Sequence, residues 1–211
     1  MKYKYIIWDF NGTLLEDVSV NLEVLHIIMK ENNIPCVNMS EYKDIFSFPA
    51  EELYRKLGFD FEVNPFKELA KRYFELYPSM AHKCTLQPGI IDTLEMLNSS
   101  STKQVILSAS PQDLLLKQAN DLGIEKYFES IMGISNIYAA SKVEIALKWL
   151  NENKLNPEEL LFIGDTTHDY EVSLALGCDC ILFDRGHQSH KVLSKCGVPV
   201  IHDIDELVNY I

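Results

Sequence analysis

The sequence predicts an α/β fold in which a doubly wound parallel sheet, covered by helices on both faces, is interrupted after its first strand by a small helical insert. Three observations predict it. Short apolar runs recur at residues 3–8 (YKYIIW), 104–107 (QVIL), 160–163 (LLFI) and 180–183 (CILF), as buried strands require. Between them, residues 112–122, 141–153 and 169–176 carry apolar side chains at the three- and four-residue spacing of amphipathic helices. Residues 16–86 break the alternation, with helical patterns and no convincing buried strand.

Taken in order, the first strand runs into Asp9 and Asn11. The insert reads as helices over 20–29 (VNLEVLHIIM), 51–57 and 66–77, punctuated by Asn32-Asn33-Ile34-Pro35, Asn64-Pro65 and Pro78-Ser79. Leu86-Gln87-Pro88-Gly89 then returns the chain to a core helix over 90–97. Ser110 is placed as the cap of the next helix, with Pro111 at its first position, and Gly177 ends the helix over 169–176. The expected division is 1–15 with 87–211 for the sheet-bearing core and 16–86 for the insert.

Composition excludes several classes. The 211 residues are 47% hydrophobic and 24% charged, ordinary for a globular protein with a sizeable core. A formal net charge of −12 argues against a broad electrostatic grip on nucleic acid or an anionic membrane, so an anionic substrate must meet a local positive site. No run approaches the ~20 apolar residues of a membrane span, and Asp9 interrupts the N-terminal run well short of a signal peptide. Five scattered cysteines fit reduced thiols better than a disulfide framework, and a cytoplasmic protein is expected. A zinc site gathered from Cys178, Cys180, His187, His190 and Cys196 matches no known spacing, so core thiols are the better reading.

In an open parallel sheet, ligands bind beyond the carboxyl ends of the strands. The residues there are Asp9 and Asn11 after the first run, Ser108, Ala109 and Ser110 after the second, and Asp165 with Asp169 after the third, while Lys142 opens the intervening helix. Three converging carboxylates would repel unless a cation sat among them, and hard oxygen donors suit Mg²⁺. A lysine and a hydroxyl at neighbouring strand ends would serve a phosphoryl group, assisted by the backbone N–H after Ser108. Each residue alone has an ordinary structural alternative: a turn for Asp9, a local backbone bond for Ser108, helix capping for Asp165 and Asp169, a solvated helix position for Lys142. The joint occurrence of all five, in chain order at strand ends, is what favours chemistry.

Those residues resemble the haloacid dehalogenase superfamily. Asp9-Phe10-Asn11-Gly12-Thr13 is similar to its first motif, Ser108 in VILSAS to its second, Lys142 to its third, and Gly164-Asp165-Thr166-Thr167-His168-Asp169 to its fourth. The resemblance covers essentially the whole chain, the insert matching a small helical cap on a Rossmann-like core and Gln87-Pro88-Gly89-Ile90 the re-entry segment of phosphoglycolate-phosphatase-like members. It implies a phosphatase acting on a small phosphorylated metabolite. Asp9 would be the nucleophile, Asp9, the Asn11 carbonyl and Asp165 would hold Mg²⁺, and Asp169 would ligate directly or through water. Asn11, Gly12, Ser108, Ala109 and Lys142 would hold the phosphoryl group.

In the family's phosphatases a second Asp normally stands where this chain has Asn11, and protonates the leaving oxygen. An amide has no proton to give near neutral pH, a loss of roughly 10²–10⁴ in rate. The expected enzyme is therefore slow or restricted to good leaving groups, such as acyl phosphates. The alternative is a protein that binds phosphate ligands or a partner without turnover. A dehalogenase or phosphonatase is disfavoured, since both acids of the fourth motif are present and no lysine of the insert stands out. Asn11-Gly12 is also a dipeptide prone to deamidation.

Overall fold

The computed structural model describes residues 2–134 and 142–211. The first strand, β1 (Tyr5–Trp8), leads to β2 (Leu15–Glu16) and then to four helices, α1 (Val18–Glu31), α2 (Met39–Ile45), α3 (Ala50–Lys56) and α4 (Phe66–Met80). The chain returns through β3 (Thr85–Leu86), α5 (Ile90–Asn98), β4 (Lys103–Pro111), α6 (Gln112–Asp121) and β5 (Ser130–Ile134). It closes with α7 (Lys142–Glu152), β6 (Leu160–Gly164), α8 (Thr167–Leu176), β7 (Asp179–Phe183), α9 (His190–Leu193) and β8 (Val200–Ile201).

Six strands form one parallel sheet in the order β5-β4-β1-β6-β7-β8, with β1 paired to β4 on one side and β6 on the other. Strand periodicity sends alternate side chains to opposite faces. Ile6 and Trp8 therefore join the larger core cluster with Ile106, Ile163 and the helical insert, while Ile7 joins Leu107 and Phe162 beneath α7 and α8. This is the doubly wound arrangement expected. A polar relay inside the larger cluster satisfies the indole of Trp8, whose Nε1 donates to Gln104 Oε1 at 3.1 Å while Gln104 Nε2 donates to Leu94 O at 3.1 Å. On the other face, Leu107 is fully buried. Leu107→Ala is expected to lower stability by about 2–5 kcal/mol, read by denaturant unfolding; a loss below about 1 kcal/mol would mean that this face collapses onto the cavity.

Several expectations change in detail. Two short edge strands, β5 and β8, and α2 were not expected. Pro78 does not punctuate the insert but lies inside α4, near its C-terminal end. Ser110 does not cap α6, because β4 continues through it to Pro111. Residue Ser141, the expected start of the helix that carries Lys142, lies outside the described residues. The paired β2 and β3, with Leu15 opposite Leu86 and Glu16 opposite Thr85, form a two-stranded antiparallel neck where the helical insert leaves and rejoins the sheet. Among the described residues, no helix is long and apolar enough to cross a membrane.

Candidate active site

Asp9 directly follows β1, and its backbone N–H donates to Ile163 O of β6 at 2.8 Å, which continues the sheet one residue further. Asp165 follows β6 in the same way, so the two carboxylates leave adjacent central strands side by side. Asp169 arrives from the first turn of α8 as the third residue of a capping box: Thr166 Oγ1 accepts from Asp169 N, and Asp169 Oδ2 accepts from Thr166 N at 2.9 Å. Oxygen atoms of Asp9, Asp165 and Asp169 lie within 4.8 Å of one another, and all three residues are buried. Lys142, at the start of α7, donates Nζ to Asp9 Oδ1 and, at 2.5 Å, to Asp169 Oδ1. The sheet ends thus bring together four residues that the sequence places up to 160 positions apart.

Ser108 is buried on β4, and its Oγ accepts from Ser110 N at 3.1 Å. Ala109 lies half-buried beside it. Gly12 adopts φ +81° between Asn11 and Thr13, and a Cβ there would collide with the Asp165 carboxylate. A Cβ on Gly186 would meet the same carboxylate, so two backbone segments close in on Asp165. Asp165 Oδ1 accepts from Thr13 Oγ1 at 3.0 Å and Oδ2 from His187 N at 2.6 Å.

Burial and opposing charges act against one another here. Burial, the largest cause, together with Asp169 and Asp165, raises the Asp9 carboxyl well above the ordinary range despite the ammonium of Lys142. Asp165 is pushed up to about 6, again mainly by burial. Burial also works against an ionised Asp169, but Lys142 and the Thr166 hydroxyl outweigh it and hold that carboxyl low. Lys142 in turn is raised, because Asp169 and Asp9 more than offset its own burial. Three buried carboxylates facing one ammonium leave two negative charges uncompensated when all are ionised. A divalent cation with a preference for hard oxygen donors fits that set.

Residues to which the sequence gives no catalytic role surround this cluster. Asp17 stands at the N-terminal boundary of α1, but its side chain makes no capping bond there. It is 1% exposed, and its Oδ1 lies 3.1 Å from His187 Nε2. Tyr77 of α4 donates its hydroxyl to Asp17 Oδ2 at 2.9 Å, and Tyr42 of α2 pairs its hydroxyl with His187 Nδ1 at 2.8 Å. Burial opposes ionisation of both partners, yet their mutual attraction prevails: Asp17 is lowered and His187 raised from their ordinary values. His187 had a usable signal, since it lies just beyond the fourth apolar run, where strand-end reasoning points. By contrast, His190 is largely solvated, and His168 pairs with exposed Glu171. All five cysteines are free thiols, and the only cluster of metal-ligating type among the described residues is the aspartate triad.

Comparison with known proteins agrees with this fold. The chain is 26% identical over 200 residues to the phosphoglycolate phosphatase of Vibrio vulnificus, covering 90% of this chain and 88% of that protein. It is 21% identical over 209 residues to the phosphoglycolate phosphatase of Aliivibrio fischeri, covering 95% and 92%. A haloacid dehalogenase-like family hydrolase from Streptococcus pneumoniae superposes with a TM-score of 0.86 at 23% identity, over 99% of this chain and 98% of that one. The sequence profile of haloacid dehalogenase-like hydrolases matches residues 6–183, a span from β1 to the end of β7 that contains every strand end described above, and the chain belongs to that family.

Proposed function

We propose that this protein is a Mg²⁺-dependent phosphohydrolase of small phosphorylated metabolites, working through an aspartyl-phosphate on Asp9. The observation that carries the reading is the buried Asp9 carboxylate, at the end of a central strand, facing Asp165, Asp169 and Lys142. A carboxylate oxygen of Asp9 forms a bond to phosphorus as the bond to the leaving oxygen breaks. Water then attacks phosphorus, the Asp9–phosphorus bond breaks, and the carboxylate is regenerated. Lys142 and the Ser108 hydroxyl, whose hydrogen is left to donate when its oxygen accepts from Ser110, hold the phosphoryl oxygens with the backbone N–H of Ala109, whereas the N–H of Gly12, expected to join them, already donates to Leu15 O at 2.9 Å. Asp9, Asp165 and the Asn11 carbonyl would hold Mg²⁺, with Asp169 ligating directly or through water. Bound there, the cation would neutralise charge on the phosphoryl group. Residues 16–86 serve as a cap over this site, hinged at the β2–β3 neck.

Asn11 supplies no proton to a leaving alkoxide, so turnover is expected to rise steeply as the leaving group improves. Phosphate release measured with Mg²⁺ over a series of esters and acyl phosphates, beginning with phosphoglycolate because the curated relatives carry that name, tests this. A rate independent of leaving group would contradict a missing proton donor. The same substitution favours a second reading, phosphate-ligand binding without turnover; binding of unreactive phosphate ligands with no release from any substrate would select it.

A further inference from the structure

The Asn11 carboxamide is held at both ends. Its Nδ2 donates to Asp17 Oδ2 at 2.8 Å and to Tyr77 Oη at 3.2 Å, and its Oδ1 accepts from Ser110 Oγ at 2.6 Å. Chemistry fixes this orientation, because an ionised carboxylate only accepts and the amide atom facing it must be the donor. Asp17 is itself immobilised by Tyr77 and His187, from α4 and from the loop after β7. Ser110 belongs to the same strand end as Ser108, on the phosphoryl side of the site.

We propose that Asp17 is a positioning residue: by taking Nδ2 of Asn11 it commits Oδ1 to the reacting side, as the acceptor that holds the water attacking the Asp9 phosphoryl group. The idea rests on the phosphohydrolase reading. Acyl phosphate and water give the Asp9 carboxylate and dihydrogen phosphate, so both protons of the water leave with the product and an acceptor that orients water suffices. Without Asp17 the amide has two orientations of equal size, and the flipped one presents N–H to the water, turning the oxygen lone pair away from phosphorus. A carboxylate at position 17 also disfavours one at position 11, since two buried carboxylates in hydrogen-bond contact repel or share a proton. Residues 11 and 17 therefore form one unit, and inserting the usual acid at 11 alone is not a repair.

Four proteins test this: the natural chain, Asn11→Asp, Asp17→Asn, and the double exchange, each checked by intact mass because Asn11 precedes Gly12. With acetyl phosphate and Mg²⁺, either single change is expected to lower kcat about 10- to 100-fold through misplacement, with KM moving less than about threefold. The exchange restores an amide facing a carboxylate and is expected to recover kcat to within about threefold of the natural chain, beyond any additive expectation. A purely structural role for Asp17 would move KM with kcat or leave the exchange unrescued, and either result overturns the proposal. So does Asn11→Asp alone matching or exceeding the natural chain. Thermal unfolding of the same four proteins reads the pair without turnover. If the natural chain releases no phosphate, the phosphohydrolase reading fails; additive unfolding shifts would overturn the pairing itself, whereas recovery in the exchange would uphold it.

Discussion

Asp9→Asn is expected to abolish Mg²⁺-dependent phosphate release, by at least ~10³-fold as for other nucleophile deletions, while leaving thermal stability unchanged or higher. The two halves follow from one fact, that Asp9 is a buried carboxylate whose ionisation is opposed chiefly by its burial and further by Asp169 and Asp165. An amide cannot attack phosphorus and regenerate itself on hydrolysis. The same amide removes a charge that burial penalises, and its carbonyl oxygen still accepts from Lys142, so no donor is orphaned. A residue kept for fold alone would behave in the opposite way, costing stability on substitution with activity following in proportion. Phosphate release and calorimetric unfolding on one preparation separate the cases. Residual Mg²⁺-dependent turnover near the natural rate would remove Asp9 as the nucleophile.

The parts of the fold that sequence makes legible are those whose burial is two-sided. Residues 160–163 and 180–183 are strands in the structure because a strand covered on both faces must be apolar throughout, and nothing else in so short a run explains it. The edges escape this logic. Residues Ser130–Ile134 are only half-buried, and Val200–Ile201 is too short to carry a period, so pairing with β4 and β7 makes them strands. Pro78 shows the converse, tertiary packing overriding local propensity: with Tyr77 buried against the site, α4 continues through the proline and forgoes one backbone bond near its end.

The candidate site divides along the same line. Asp9, Ser108, Asp165 and Lys142 are found by one rule, that chemistry collects at the carboxyl ends of parallel strands, and each sits where the rule puts it. Asp17, Tyr42 and Tyr77 obey no local rule, and His187 follows a strand end without any sign of its partner. Asp17 lies 170 residues from His187 and 60 from Tyr77 in sequence, and only the return of the helical insert onto the loop after β7 makes them neighbours. A single acid at a helix start looks the same in sequence whether it faces solvent or a buried imidazole. Family resemblance therefore reaches the residues proposed to transfer the phosphoryl group, and the physical consequence of Asn11 emerges only from its bonds.

Lys142→Met is expected to lose turnover and, in addition, about 3–5 kcal/mol of stability at neutral pH, the usual cost of stripping the cation from a buried ion pair. Methionine keeps the stem, so the packing lost is small and the effect is electrostatic. The side chain is 2% exposed, its ammonium pairs with Asp9 and Asp169, and it lies 5.2 Å from the centre of the Phe162 ring. Removing it leaves three carboxylates facing one another in a dry site. The pH dependence follows from Asp169, whose carboxyl burial alone would raise but Lys142 holds below its ordinary value. A carboxyl depressed in the folded state stabilises above its unfolded pKa and loses that contribution as pH falls through the folded one. The gap between natural chain and variant should therefore be widest near neutrality and narrow in acid, as the stranded carboxylates take up protons. Mg²⁺ should narrow it at neutral pH too, since the site without its lysine attracts the cation more strongly, and tighter binding to the folded state adds more stability by mass action. Unfolding measured at both pH values, with and without Mg²⁺, gives four comparisons; an unchanged midpoint for Lys142→Met at neutral pH without the cation would mean that Asp169 does not depend on this lysine for its ionisation.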